Sequence, residues 1–286
     1  MFRLALCPNR RLTVQADDLL KAGDLDGALA ALQDDVRKSS ANPALRIFLF
    51  QLLCVRGDWK RAIAQLKLSA ELDALATPMA QTYREGIICE VYREKVFAGE
   101  KDPLIFGEPQ EWIALILEAL KSNAAGRHDE AAKTRDLAFE AAPATSGKID
   151  GAAFEWIADA DMRLGPLLEI VVNGKYYWMP FTAIARIEFD APADLRDAVW
   201  TPCTLTTANG GEVVGLIPTR YAGTLERGGN AEKLARATQW EDLGADTFAG
   251  IGQRLFTTDL GDTALMDVRL LEFDTADTRA SDADGA

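Results

Sequence analysis

The sequence predicts an α+β protein of two domains, a helical repeat array followed by a small antiparallel β-rich barrel or sandwich. Apolar residues of the first part recur at helical spacing, whereas those of the second alternate or form short β-branched runs. Between the two, Gly165-Pro166 breaks any incoming helix, because proline lacks an amide donor and restricts the residue before it. We therefore predict a helical domain at 1–155, a β-rich domain at 156–273 and an acidic, disordered tail at 274–286.

An internal repeat organises the helical part. The segment Ala22–Leu29 aligns with Arg56–Ile63, which places Gly23 and Gly57 34 positions apart, and Gly126 begins a third copy of the same turn. A period of 34 with Gly-Asp at the turn is typical of tetratricopeptide (TPR) repeats. The glycine ends the first helix in a left-handed cap, and an alanine five positions later lets the two helices approach closely. Such an array stacks into a TPR-like solenoid whose inner helices form a groove.

Seven helices follow from the apolar periodicity and from proline and glycine at helix ends. The predicted bounds are 13–21, 25–39, 43–55, 59–72, 78–97, 109–124 and 130–141. The unit in the middle of the array has the length of a repeat but lacks the Gly-Asp turn.

About seven short strands are predicted in the second part. Asn173-Gly174 separates the apolar run 167–172 from the aromatic run 175–178, and both turn residues tolerate the positive φ of a hairpin turn. A second hairpin joins 200–207 to 212–219 through a turn rich in glycine. The remaining strands are predicted at 182–189, 253–258 and 266–273, and 231–240 is predicted as a short helix.

Composition narrows the function classes. The net charge of −13 disfavours nucleic-acid and anionic-membrane binding and favours basic partners, or neutral partners with an apolar face. A single histidine, His128, argues against a histidine triad, and four dispersed cysteines argue against zinc or a disulfide framework, so no metal or cofactor is predicted. No apolar run approaches the ~20 residues of a membrane span, and the N-terminus does not resemble a signal peptide. We expect a cytoplasmic protein.

The predicted groove is the first candidate site. Aligned to the repeat, the inner helices place five residues along it: Asp17, Ile47, Gln51, Ile116 and Leu120. They mix apolar and polar groups and include no Lys/Arg clamp, which favours an amphipathic helix as the ligand. The alternative is that the helices only support the second domain.

A charged cluster is the second candidate site. Two interpretations are open for Asp161, Arg163 and Glu169, which follow closely on Asp159: a hydrolase site with paired carboxylates, or a buried ion-pair network that fixes the domain junction. The network is favoured, because structural ion pairs often resemble active sites. Arg220 and Arg254, near strand ends, are expected to complete it.

The motifs around this cluster resemble a known family. The run 159–180 (Asp-Ala-Asp-x-Arg-x-Gly-Pro-x-x-Glu, then Gly-Lys-Tyr-Tyr-Trp-x-Pro) is similar to the ImpE/SciE (TagJ) family of type VI secretion accessory proteins. The resemblance extends over nearly the whole chain up to about residue 273 through further motifs: Gly57-Asp-Trp59, Val96–Gly99, Gly107–Pro109, Trp112, Leu195–Asp197, Trp200, Pro218–Tyr221, Gly250–Arg254 and Asp267-x-Arg269.

The resemblance implies a non-enzymatic adaptor. Family members bind the N-terminal helix of the small subunit of the contractile sheath and are thought to link the sheath to the AAA+ unfoldase that recycles it. The family supplies no residue-level binding site here. A patch around Tyr176, Trp178 and Tyr221 is an alternative contact surface if these aromatic side chains are exposed, although packing in a small barrel core is the favoured interpretation.

Overall fold

A computed structural model describes residues 14–108 and 110–274 of the chain. Cys7, Pro109 and the predicted acidic tail beyond Asp274 lie outside the described residues. Helices occupy the N-terminal part and a mostly antiparallel sheet the C-terminal part, which confirms the α+β class. The TPR-like and barrel-or-sandwich details stay predictions.

Seven α-helices lie in the N-terminal part of the described residues, and their bounds lie close to the predicted ones. They are α1 (Val14–Lys21), α2 (Leu25–Lys38), α3 (Pro43–Val55), α4 (Trp59–Leu72), α5 (Thr77–Phe97), α6 (Glu111–Ala124) and α7 (His128–Ala141).

The first two helix pairs turn in the same way. Gly23 and Gly57 adopt φ of +81° and +76°, the left-handed conformation in which glycine has no steric penalty. The aspartate that follows each glycine caps the next helix: Asp24 accepts from the Gly27 amide at 2.8 Å, and Asp58 from the Arg61 amide at 3.3 Å. The Gly-Asp dipeptide thus ends one helix and begins another.

Fourteen strands and two further short α-helices lie among the described residues. The strands are twice as many as predicted, because many of them have only two to five residues and give too short a sequence pattern. They are β1 (Leu104–Ile105), β2 (Gly147–Ile149), β3 (Ala152–Phe154), β4 (Ile157–Asp159), β5 (Leu167–Val172), β6 (Lys175–Pro180), β7 (Ile184–Phe189), β8 (Trp200–Thr207), β9 (Glu212–Pro218), α8 (Thr224–Arg227), α9 (Asn230–Lys233), β10 (Thr238–Asp242), β11 (Phe248–Gly252), β12 (Leu255–Thr258), β13 (Gly261–Ala264) and β14 (Leu270–Phe273).

The largest sheet has nine strands in the order β1-β6-β5-β9-β8-β7-β14-β2-β3. All its pairs are antiparallel except β1 with β6. Strands β10 and β11 form a separate two-stranded ribbon, and β13, β12 and β4 form a third sheet. Both predicted hairpins are confirmed, and Asn173 and Gly174 have the positive φ values, 49° and 69°, that their turn requires.

Two segments differ from the sequence-based expectation. Strands β2 and β3 lie before residue 155, in the part predicted to be helical, yet they belong to the large sheet. Strand β2 pairs with β14, which lies more than a hundred residues later in the chain, and β3 pairs with β2. The sequence around β2 and β3 does not reveal so distant a partner. The predicted helix at 231–240 is wrong beyond Lys233: the backbone of Ala235 has φ of 53°, and the chain continues into β10. Strand pairing with β11 overrides local helical propensity there.

The helices and the sheet share one apolar core. Phe50 of α3 and Tyr83 of α5 lie 5.8 Å apart between ring centroids, and Tyr83 lies 5.6 Å from Trp200 of β8. Phe97 at the end of α5 similarly contacts Trp178 of β6 at 6.0 Å. A second core cluster lies between the sheets of the C-terminal part.

Polar side chains of the C-terminal part bind the turns of the helix pairs. Arg220 donates to the carbonyl oxygen of Val55 at 2.8 Å, and Asn230 donates to that of Gly23 at 2.8 Å. Arg236 donates to a carbonyl in the last turn of α1 at 2.9 Å. These bonds supply donors to carbonyl groups at the C-terminal ends of α1 and α3 and in the turn between α1 and α2. The segment between β9 and β10 therefore holds two helix pairs in place.

Candidate functional site

Glu169 lies at the centre of a buried ionic network. Strand β5 directs its carboxylate toward α5, where Arg93 donates through Nε at 2.5 Å and Nη2 at 2.8 Å, the bidentate geometry favoured by guanidinium and carboxylate groups. Arg254 and the Tyr176 hydroxyl donate to the same carboxylate. None of these four side chains is more than 5% exposed. Glu169 thus joins a helix of the first part to strands of the second.

Two aspartates extend the network. Arg163 donates through Nε to Oδ1 of Asp161 at 2.9 Å and through Nη2 to Oδ2 at 2.5 Å, and the Gly250 amide donates to Asp161 at 3.1 Å. Asp159 accepts from Arg254 and from the Asp161 amide. Each carboxylate therefore has a guanidinium partner, which compensates its removal from water.

Burial and pairing compete in setting the pKa values of the network. Burial by itself raises the pKa of Glu169, but the guanidiniums of Arg93 and Arg254 outweigh it and hold that pKa at about 2. At Asp159 burial dominates, so its pKa rises to about 7 although Arg254 opposes the shift. The Glu169 carboxylate is thus ionised at neutral pH.

The structure brings together four of the five residues predicted for this cluster, namely Asp161, Arg163, Glu169 and Arg254. The prediction for Arg220 is wrong in its partners: its guanidinium donates to the carbonyl oxygens of Val55 and Lys233 instead of to a carboxylate. Burial lowers the pKa of Arg220 to about 10, with Glu90 opposing the shift. Its role is to cap helix α3.

Sequence reasoning missed Arg93, which contributes the helical side of the network. Arg93 and Glu90 lie on the buried face of α5 together with Tyr83, Ile87 and Val96. Their spacing of three or four residues from these apolar positions was the available signal, because a charged residue on the core face of a helix needs a buried partner. Burial raises the pKa of Glu90, and Arg93, 3.5 Å away, opposes that shift.

The predicted groove residues do not form one open surface. Gln51, Ile116 and Leu120 are only 7%, 2% and 3% exposed, so their packing inside the protein contradicts their prediction as groove-lining contacts. Gln51 lies on α3, which contacts the turn at Leu195–Ala198, whereas Ile116 and Leu120 lie on α6, which packs mainly against α7. Neighbouring elements therefore cover positions that an open groove would expose. Asp17 and Ile47 are half-buried and keep accessible surface.

The aromatic side chains considered as an alternative surface are also buried. Tyr176, Trp178 and Tyr221 are 3%, 0% and 2% exposed. Trp178 donates to the Tyr176 hydroxyl at 2.6 Å, which places both rings beside the ionic network. These three residues stabilise the interior and do not form a contact surface.

The space beside the network is too small for a substrate. A crevice of about 20 Å³ is lined by Glu90, Arg93, Arg220 and residues that precede β10, and this volume holds about one water molecule. Asp161 and Glu169 themselves are 0% exposed. The arrangement stabilises the junction of the two parts.

Two further observations concern only the described residues. No group of three or more His, Cys, Asp or Glu side chains there is arranged to hold a metal ion. No helix within residues 14–108 and 110–274 is both long and apolar enough to cross a membrane. His128, given no role by the sequence, has its Nδ1 3.2 Å from Oδ1 of Asn123.

The chain is similar in sequence and fold to known proteins. Residues 151–272 match the profile of a family described as ImpE protein. The type VI secretion system accessory component TagJ of Pseudomonas aeruginosa is 53% identical over 262 residues, which are 92% of each chain. A crystal structure of a Vibrio parahaemolyticus protein superposes with a TM-score of 0.83 and covers 91% of this chain and 98% of its own; at 24% identity it shows a shared fold.

Proposed function

Because this chain belongs to the ImpE family, we propose that it is an accessory protein of a type VI secretion system and acts there as a non-enzymatic adaptor. The observation that carries this proposal is its 53% identity, over 92% of both chains, to the TagJ accessory component. The finer proposal is that the protein binds the N-terminal helix of the small contractile-sheath subunit in the cytoplasm. It would thereby help to couple the sheath to the AAA+ unfoldase that recycles it.

The ionic network supports an adaptor. A hydrolase needs a carboxylate that reaches its substrate, whereas Asp161 and Glu169 are fully buried and bonded to guanidinium groups. No feature of this cluster favours the hydrolase alternative. The network instead makes the helical and strand parts one unit, which suits a protein that presents fixed surfaces to its partners.

Asp17 and Ile47 remain the proposed contacts of the helical part. Among the five predicted groove residues they alone keep accessible surface. Ile47 belongs to α3, which is apolar along most of its length. A partner helix that packs there would bury an aliphatic side chain, the kind of contact that amphipathic helices make in grooves.

Isothermal titration calorimetry tests the proposal directly. The full chain is titrated with a synthetic peptide of the N-terminal helix of the cognate small sheath subunit. We expect saturable 1:1 heat with a negative heat-capacity change, the sign of apolar burial on binding. Absence of heat with folded protein would overturn the proposed partner.

Two variants locate the contact. Ile47→Asp should weaken the affinity at least about tenfold, since the partner would then bury an unpaired carboxylate. Val214→Asp is the matched control, because Val214 is 68% exposed on β9 and lies outside the proposed contact. Equal affinities for both folded variants would remove Ile47 from the binding site.

A further inference from the structure

The ribbon of β10 and β11 exposes two aromatic side chains next to each other. Its register pairs Trp240 with Gly250 and Asp242 with Phe248. Directly paired residues and residues two apart share a face of a ribbon, so Trp240, Asp242 and Phe248 lie on one side. Trp240 is 41% exposed and Phe248 42%. We call these three side chains the ribbon face.

Contacts with Tyr221 and Met162 hold the ribbon face in place. The Trp240 ring packs on the buried Tyr221 ring at 5.8 Å between centroids. Gly250 makes this possible, because a Cβ atom there would lie 2.1 Å from a Tyr221 ring carbon. At the neighbouring position the Phe248 amide donates to the Met162 sulfur at 3.3 Å, and the Phe248 carbonyl accepts from the Met162 amide at 3.2 Å. These contacts fix the Trp240 ring and the backbone of Phe248, so the Trp240 side chain loses little entropy when a partner binds.

One exposed carboxylate lies in the ribbon face and another lies in the turn beside it. Asp242 is exposed, and its side chain accepts a bond from the Gly244 amide at 2.8 Å. Asp246 is also exposed in the turn between the two strands. Neither carboxylate forms an ion pair within the described part of the chain. Aromatic faces and free carboxylates both attract guanidinium and ammonium groups.

Helix α5 exposes a different apolar stripe, beside which cations and carboxylates balance. Ile88 and Val91 are 49% and 39% exposed. Arg84 and Glu85 lie one turn before the stripe, and Glu94 and Lys95 lie one turn after it. The chain as a whole carries a charge of −13 and attracts basic partners over longer distances, which the ribbon face matches, whereas the α5 stripe favours neither sign.

We propose that the ribbon face is a docking surface for a protein segment in which arginine or lysine stands beside apolar side chains. Its occupant is a segment of the small sheath subunit, so this inference rests on the proposed function and adds a second contact to that of the helical part. Trp240 supplies the apolar area and the aromatic face, and Asp242 supplies the charge. Exposed tryptophan held by a rigid neighbour is typical of residues that dominate binding energy.

Binding of the full-length cognate small sheath subunit, measured by biolayer interferometry, tests this surface. Trp240→Ala and Phe248→Ala should each weaken the affinity at least about tenfold. Trp156→Ala is the matched control, since Trp156 is 40% exposed but lies just before β4 and not on the ribbon. Asp242→Asn should weaken binding and make it less sensitive to salt, because one screened charge pair is lost.

The outcomes separate the two proposals. Loss of affinity in the ribbon variants with Trp156→Ala unchanged supports the docking surface. Affinities equal to wild type for folded Trp240→Ala and Phe248→Ala overturn the docking surface while leaving the proposed function in place. Wild-type protein that fails to bind the subunit overturns both. Circular dichroism of each variant establishes that it is folded.

Discussion

Replacing Glu169 by glutamine should destabilise the protein strongly, because it removes the one charge that Arg93 and Arg254 share. The pKa of Glu169 falls from 4.5 to about 2 on folding, which corresponds to about 3 kcal/mol at neutral pH. Breaking a buried ion pair by removing one partner typically costs about 3–5 kcal/mol. The two values agree, so we expect Glu169→Gln to lower the free energy of unfolding by about 3–5 kcal/mol.

Urea unfolding at pH 7, followed by circular dichroism and tryptophan fluorescence, measures this change. Glu188→Gln is the matched control, because Glu188 also pairs with an arginine but its side chain is 59% exposed, where a pair contributes about 0–1 kcal/mol. The double variant Glu169→Gln with Arg93→Met should cost less than the sum of the single variants, since the two side chains bond to each other and the loss of that pair is then counted only once. A loss below about 1 kcal/mol for Glu169→Gln would refute the network as a stabilising junction.

The pH dependence provides a second check on Glu169. Its folded pKa is depressed, so its contribution is present above the unfolded value of 4.5 and is lost as pH falls toward about 2. The stability difference between wild type and Glu169→Gln should therefore shrink as pH falls between 4.5 and 2. A difference that does not change over this range contradicts the depressed pKa.

Three further predictions address the packing of the two parts. Gly57→Ala should lower the free energy of unfolding by at least about 1 kcal/mol more than Gly23→Ala, measured by thermal or urea unfolding. Both glycines have positive φ, but a Cβ atom at Gly57 would lie 2.6 Å from the Leu225 side chain, whereas one at Gly23 meets nothing within 4 Å. Arg220→Met should lower stability by about 2–4 kcal/mol in the same assay, because the buried Val55 carbonyl and the part-buried Lys233 carbonyl lose their donor. A loss under about 1 kcal/mol would show that water replaces the guanidinium. Leu120→Asp should reduce the yield of folded protein instead of selectively weakening partner binding, since this side chain is 3% exposed; a folded variant would contradict its placement in the core.

Short sequence motifs predicted the helix ends and the hairpin turn that depend only on neighbouring residues. The Gly-Asp turns predict where α1 and α3 end and α2 and α4 begin, because glycine takes a left-handed cap and aspartate accepts the first free amide. Asn173-Gly174 predicts its hairpin to the residue, because the turn accepts few other side chains. The family resemblance, carried by the same kind of short motif, is confirmed as well.

Tertiary structure alone decided which of those elements meet. Arg93 and Glu169 are 76 positions apart, and only the packing of α5 on the sheet makes them one ion pair. Gln51, which a solenoid considered by itself places on its groove, is 7% exposed, because α3 also contacts the distant turn at Leu195–Ala198. At Trp240 the tertiary structure exposes a side chain: the sequence predicts a helix at 231–240, but this residue pairs with β11 instead, and its ring is 41% exposed. Periodicity reports that a residue has a buried side, whereas the identity of the covering element depends on contacts between distant parts of the chain.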